Sequence, residues 1–363
     1  MSGYYLTGVG KEDGMQGVVF LGDRKVELRE FPDPTPGQAE VVLEIKASGM
    51  CGSDLKGYRA PRGGGVKDLG VGGISEPVIA GHEPCGVVAG VGPYVPESHA
   101  RVGMRVMVHH YSGCGVCKHC RSGWSQLCLG GIMVYGVIGH GGHAQYMKVP
   151  ASTLVPLPEE LSFEVGSAIS CGTGTAYGAL RRIGLSGRDT IAIFGQGPVG
   201  LSATQLAKAM GARVIALDVG EARLKLAKEF GADVAIDPKK DNPVQTIKEL
   251  THGEGAELTM DCSGSPEARL AAVRSTRTWG TVALVGEGNT VTLDVSLDLL
   301  RRQLTLVGSW TFSTVGQAEC ARFIADRRIP VEKLFTHRYR LDQAAEAYEL
   351  FDTQTTGKGV ILP

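Results

Sequence analysis

The sequence has no excess of charge of one sign: 37 lysines and arginines stand against 38 aspartates and glutamates, a formal net charge of −1. Such a chain has no broad positive field to draw it onto nucleic acid or an anionic membrane, so the partner it predicts is a small molecule. It also lacks any apolar run of the ~18 residues that span a bilayer, and residues 1–17 carry no charged-then-apolar leader. A soluble, cytoplasmic protein is expected. Proline is modest at 17 and aromatics amount to only 6%, yet 43% of the chain is hydrophobic, which excludes disordered and low-complexity classes. Nor do the cysteines form a disulfide framework, because they number nine and four of them crowd into residues 114–128. That spacing belongs to a metal site in a reducing compartment.

What is abundant is glycine, 52 of 363 residues, about twice the usual share, at irregular intervals that mark turns. The length predicts about two domains. Segments 17–21, 39–46, 86–91, 104–108 and 144–149 are short apolar runs broken by Gly and Pro, which predicts antiparallel β-structure in a partly closed barrel. Residues 59–77, with three consecutive glycines, read as a long loop. After Pro158 the rhythm changes. Apolar segments at 190–194, 213–218, 233–236, 257–261, 281–285 and 304–308 alternate with helical stretches at 199–210, 222–230, 244–250 and 266–275, the pattern of a doubly wound parallel sheet. The tail, with an amphipathic helix near 343–351 and a strand near 359–362, predicts a return to the first domain.

Gly195-Gln-Gly197-Pro-Val-Gly200 follows the first of these strands and opens a helix, the context in which a GxGxxG turn binds a dinucleotide. Gly195 permits the turn, Gly197 lets backbone approach the pyrophosphate, and Gly200 permits close helix–sheet packing, with the helix N-terminus facing the phosphates. Asp218, at the end of the next strand, would accept hydrogen bonds from the ribose hydroxyls and repel a 2′-phosphate, favouring NAD over NADP. Arg223 reads either as a residue lying over the adenine or as a solvated helix arginine. Cys114-x-x-Cys117-x-x-Cys120 with Cys128 supplies four thiolates and no open position, predicting a closed structural zinc site, with an iron–sulfur cluster as the alternative. A nucleic-acid zinc ribbon would need flanking basic and aromatic residues that are missing.

Cys51-Gly-Ser53-Asp54, Gly81-His82-Glu83-x-x-Gly86-x5-Gly92-x-x-Val95, the four-cysteine segment, Cys171 and the glycine turn together resemble the zinc-containing medium-chain alcohol dehydrogenase family, in order and spacing, from about residue 18 to 362. The resemblance implies a GroES-like catalytic domain with the cysteine lobe over 1–172, a Rossmann NAD-binding domain over 173–306, and a segment over 307–363 that rejoins the first. It implies two zinc ions per chain. The catalytic ion would be held by Cys51, His82 and Cys171, with Glu83 behind it and able to exchange into its shell. Hydride would pass from a secondary alcohol, polyol or related hydroxy compound to NAD by way of a zinc-bound alkoxide. Thr175 would lie near the nicotinamide, and Ser53 would take the alcohol's proton unless it merely caps a turn. Lys56 stands where relatives commonly carry the histidine at the solvent end of the relay; it reads as a relay group or as a surface lysine. His110 falls at a substrate-pocket position and suits a hydroxylated substrate. Cys171, where sorbitol-type relatives carry a carboxylate, points instead to simple alcohols. Cys85, Cys262 and Cys320 match no ligand position and are expected to be buried thiols. A homodimer or homotetramer is implied, with 304–308 as the sheet edge open for pairing. The competing functions are a zinc-free quinone or enone reductase and a noncatalytic zinc-stapled nucleotide sensor.

Overall fold

A computed structural model describes residues 14–62, 77–355 and 357–363. Most of the loop expected at 59–77 therefore lies outside the described residues. The organising strand of the first unit is Glu40–Gly49, whose long apolar run is buried on both faces. It pairs antiparallel with Glu83–Val91 along one edge, from Val41 against Val91 to Gly49 against Glu83. Its other edge is shared, by Tyr146–Pro150 over Glu40 to Glu44 and by the last strand, Lys358–Ile361, over Ser48 and Gly49. Arg105–Val108 and Leu154–Pro156 extend the sheet beyond Glu83–Val91. The last strand of the tail thus pairs with the central strand of the first unit. One pairing departs from the antiparallel expectation: Phe335–Tyr339 runs parallel to Lys358–Ile361, because the helix Ala344–Asp352 carries the chain back between them.

The second unit is a six-stranded parallel sheet. In spatial order its strands are Val234–Ile236, Arg213–Leu217, Thr190–Phe194, Ala256–Asp261, Thr276–Leu284 and Thr305–Gly308. The order reverses between Thr190–Phe194 and Ala256–Asp261, and ligands of such sheets bind at the carboxyl ends of the strands at that switch point. Helices Pro198–Ala209, Glu221–Glu229, Pro243–Leu250 and Pro266–Ser275 match the expected ones to within a residue or two. The fifth strand starts at Thr276, earlier than expected. Its first half carries exposed Trp279 with φ +64° and a register shift against Ala256–Asp261, which breaks the apolar run.

Two helices that the sequence pattern did not announce, Phe163–Ile169 and Gly172–Arg182, join the units. Their buried faces put Cys85 and Met107 of the first unit into one continuous core with Ile191, Leu206 and Met260 of the second unit. Among the described residues no helix is long and apolar enough to cross a membrane.

Candidate active site

Cys51 follows the end of strand Glu40–Gly49. Asp54 folds the chain back there, its Oδ2 accepting the Cys51 N–H at 2.8 Å and its own N–H donating to the Cys51 carbonyl at 3.0 Å. His82 enters from Gly81, whose φ is +89° and where a Cβ would strike His143 Nδ1 at 2.4 Å, so only glycine fits. Cys171 arrives from a third direction, immediately before helix Gly172–Arg182. These three residues and Glu83 bring one ligand atom each to within 4.8 Å of one another. The two sulfurs are 3.8 Å apart, and Ser53 Oγ lies 3.3 Å from Cys51 Sγ and 3.1 Å from His82 Nε2.

Buried charge surrounds this cluster. His82 Nδ1 stands 2.8 Å from Asp54 Oδ1, though too bent for a full hydrogen bond, a carboxylate behind an imidazole as metal-binding histidines have. The Tyr348 hydroxyl donates to Asp54 Oδ2 at 2.9 Å and in turn accepts from His143 Nε2 at 2.7 Å. Behind the ligands, Glu83 Oε2 and Lys358 Nζ form an ion pair of 2.5 Å with both side chains essentially inaccessible, and Lys358 also donates to the Met50 carbonyl at 2.8 Å. Burial pushes the Glu83 carboxyl up to about 8 against the pull of Lys358. A hydrogen bond shared with the Cys171 thiol draws the Cys51 thiol well below its ordinary range. Two sulfurs, an imidazole and a carboxylate whose Oε1 is buried without a partner form a donor set that suits zinc.

Cys114, Cys117, Cys120 and Cys128 likewise bring their sulfurs within 4.8 Å of one another. Backbone N–H groups point at them: Cys114 N and Gly130 N donate to Cys128 Sγ at 3.2 and 3.3 Å, and Cys117 N to Cys114 Sγ at 3.4 Å. Such hydrogen bonds, from Cys120 and Leu129, pull the Cys117 thiol down to about 6. The backbone donors favour the thiolate at Cys117, whereas burial pushes the Cys120 thiol up to about 12; four sulfurs with no open position suit a closed tetrahedral metal site.

At the glycine turn each glycine has its own reason. Gly195 has φ +90°, a Cβ on Gly200 would fall 1.8 Å from the Gly195 carbonyl oxygen, and Gly197 faces open space with no atom within 4 Å of an added Cβ. The turn is anchored from below by Gln196, whose side chain donates to the Ile193 carbonyl and accepts from the Thr204 hydroxyl. Asp218 accepts the Gln196 N–H at 2.6 Å and the Gly220 N–H at 2.8 Å, and it lines the cavity between the two units. Arg223 is mostly buried, with Nη1 3.9 Å from Asp218 Oδ2, so it is not a solvated helix arginine.

A cavity of about 890 Å³ between the two units joins these parts, with Cys51, His82 and Cys171 at one end and Asp218 and Arg223 at the other. Gly195, Gly197, Thr175 and Ser53 line the path between. His110, Tyr111 and Trp310 form an aromatic wall beside the ligand cluster, with ring separations of 4.9 Å from His82 to His110, 4.2 Å to Tyr111 and 5.6 Å on to Trp310. His110 Nδ1 donates to the Ser170 carbonyl at 3.0 Å, and burial holds the ring neutral, so Nε2 is an acceptor. Lys56 lines the same cavity and pairs with Glu287 of the second unit at 3.0 Å. Cys85 and Cys320 are buried as expected, whereas Cys262 is only half-buried, because it sits beside the glycine turn and lines the cavity.

The sequence reading missed Asp54, Tyr348, His143, Lys358, Glu287 and the wall residues Tyr111 and Trp310. Asp54 stood inside a motif that was quoted. The others come from distant segments and carry no local signal.

Residues 37–159 match the alcohol dehydrogenase GroES-like domain and residues 198–326 the zinc-binding dehydrogenase family. The chain is 41% identical to an uncharacterized zinc-type alcohol dehydrogenase-like protein of Escherichia coli K12, over 94% of this chain and 96% of that one. It is 32% identical to the L-threonine 3-dehydrogenase of Bacillus subtilis, over 97% of each. Among solved structures it resembles the alcohol dehydrogenase rspB of Escherichia coli CFT073 complexed with NADH, with a TM-score of 0.85, 26% identity, and coverage of 97% of this chain and 100% of that one.

Proposed function

The chain belongs to the zinc-containing medium-chain dehydrogenases, oxidoreductases that act on alcohols, and from that membership we propose that it oxidises a secondary alcohol, polyol or related hydroxy compound with NAD. The observation that carries the reading is the single cavity that joins the Cys51–His82–Cys171 cluster to the glycine turn and Asp218. Zinc held by Cys51, His82 and Cys171, with Glu83 behind it, would supply the Lewis acidity that makes an alcohol hydroxyl acidic near neutral pH. Everything else falls to the chain. Ser53, in reach of His82 and Cys51, would accept the alcohol's proton while passing its own hydroxyl proton on toward solvent, and NAD, when bound, would supply the hydride acceptor. Thr175 and the cavity walls fix the distance over which the hydride moves. The open face at Gly197 and the N-terminus of helix Pro198–Ala209 would hold the pyrophosphate, and Asp218 the ribose hydroxyls. The His110 Nε2 acceptor favours a substrate with a second donor beside the reacting hydroxyl, and the likeness to an L-threonine 3-dehydrogenase supports that choice. We assign the second zinc to the cysteine lobe.

The test follows NADH formation across an alcohol panel. Cys51→Ala and His82→Ala are expected to abolish turnover while an NADH fluorescence titration stays within about twofold of wild type, since the coenzyme contacts lie on the other unit. Preference for NAD over NADP should reach at least ~tenfold in kcat/KM, equivalent to ~1.4 kcal/mol, and Asp218→Ala should narrow it. Full turnover in either ligand variant would overturn the metal-assisted reading, and a wild-type preference for NADP would overturn the role given to Asp218.

A further inference from the structure

The cavity wall beside the ligand cluster is held in a conformation that its own sequence disfavours. Thr311, which with Trp310 lines the cavity, has φ +53°. It is the one β-branched residue with positive φ among the described residues, and a branched side chain there is a true steric outlier. Such strain persists only where the surroundings hold it.

Here the holding groups come from the cysteine lobe. Gln126 sits in a single 3₁₀ turn, Ser125–Leu127, directly before Cys128. Its side chain is buried, and Nε2 donates both to Thr311 Oγ1 and to the Phe312 carbonyl, each at 2.8 Å. Backbone supports the same contact: Thr314 N donates to the Gly123 carbonyl at 3.0 Å, and a Cβ on Gly123 would strike Thr314 Oγ1 at 2.7 Å, so the lobe approaches as closely as glycine permits. On the opposite side, helix Gly172–Arg182 turns Gly174 and Gly178 toward the corner. A Cβ on Gly174 would lie 2.7 Å from the Phe312 ring and one on Gly178 3.3 Å from the Thr311 carbonyl oxygen. That helix begins at Cys171. The corner is therefore clamped between the cysteine lobe and the helix that carries a proposed metal ligand, and Trp310, packed edge-on against Tyr111, projects from it.

We propose that Gln126 is a positioning residue for substrate selection, holding the strained Thr311 corner so that Trp310 stands as a fixed wall of the substrate pocket. This rests on the dehydrogenase reading for its selectivity consequence but not for its conformational one. The lobe then does more than staple the fold, since loss of one side chain on it loosens a wall at the reacting centre. Phe312, fully buried, anchors the corner without facing substrate.

Two readouts test this, one without turnover. In protein labelled with 5-fluorotryptophan, the Trp310 fluorine resonance, assigned with Trp310→Phe, is expected to shift or broaden in Gln126→Leu while that of distant Trp279 stays in place. Adding Thr311→Gly, which tolerates positive φ at no steric cost, should restore it. In kinetics, Gln126→Leu should change the kcat/KM ratio between a small and a bulky secondary alcohol by ~tenfold, the scale of one methylene in a hydrophobic pocket. NADH affinity should be unchanged, and Thr311→Gly should return the ratio toward wild type. A Gln126→Leu protein with a lower melting temperature but an unmoved Trp310 resonance and ratio would show a purely structural role and overturn the proposal. Failure of Thr311→Gly to restore either readout would overturn the corner as the link. If the wild-type chain oxidises no alcohol, the dehydrogenase reading fails, and the fluorine resonance still decides whether Gln126 sets Trp310.

Discussion

Ser53 and Lys56 stand five residues or fewer from Cys51 but in different electrostatic company. The Ser53 hydroxyl touches two members of the ligand cluster, whereas the Lys56 ammonium is engaged by Glu287 from the other unit, with about a third of each side chain exposed. An exposed pair of that kind contributes little stability. Its consequence is placement: the amine is held at the cavity while still in contact with solvent. Ser53→Ala is therefore expected to lower kcat by ~10²–10⁴-fold, the usual value of a positioned proton acceptor. Lys56→Ala should cost about tenfold or less, because water can bypass a relay end in contact with solvent. Glu287→Gln tests the tether. If Glu287 only holds the lysine, this variant should match Lys56→Ala in kcat and pH profile, and the double variant should be no worse than either. Additive losses would show that the two act separately, and a rise in KM alone would assign the pair to substrate binding. The candidate ligand residues Cys51, His82 and Cys171 were legible at this scale because each sits in a short motif with a glycine neighbour. Their supports were not: Lys358 meets Glu83 from 275 positions away and Tyr348 meets Asp54 from 294, and nothing in a local window marks a buried lysine as the partner of a buried glutamate.

The elements divide in the same way between signal and silence. Four cysteines in one short segment announce their cluster outright, and the parallel strands declare themselves by apolar runs, since a sheet covered on both faces admits few polar residues. Helix Gly172–Arg182 was silent. Its sequence, Gly-Thr-Gly-Thr-Ala-Tyr-Gly, has poor helix propensity, and the helix exists because Gly174 and Gly178 must let Phe312 and Thr311 approach, a tertiary reason that overrides propensity. The cysteine lobe has almost no apolar core of its own: its helix Lys118–Arg121 buries no residue, and Val116, Leu127 and Leu129 are exposed. A metal bound by the four cysteines would then supply its folding energy. Cys114→Ser is expected to remove one of two zinc ions per chain by elemental analysis and to lower the melting temperature by several degrees, with the loss of activity following the loss of fold. Unchanged metal content and melting temperature would show that the lobe carries no structural ion.

At the scale of the whole molecule, the two units share one core and one cavity, so what remains open is the outer edge of the parallel sheet. Among the described residues Thr305–Gly308 is bonded on one side only, to Thr276–Leu284, and Thr305, Leu306 and Gly308 are exposed along it. The opposite edge, Val234–Ile236, is three residues long and partly covered, a poor template for pairing. Apolar side chains gather on the exposed side: Trp279 is 72% accessible, Leu300 60%, Val295 56% and Leu297 54%. A row of unpaired backbone groups rimmed by large apolar residues is a surface on which a soluble chain would aggregate unless covered, and its self-complementary form suits a second copy related by a twofold axis. The chain is thus expected to elute and scatter light as a dimer of about 77 kDa, twice 38.3 kDa, or as a tetramer built from such dimers. Leu306→Lys, which places a charge in the middle of the edge without touching the cavity, should yield a monomer with an intact fold by circular dichroism. Because the edge strand runs directly into the Trp310 corner, that monomer should bind NADH normally and yet discriminate less sharply between small and bulky alcohols. A wild-type monomer, or a Leu306→Lys protein that keeps its oligomeric mass, would exclude this edge as the interface.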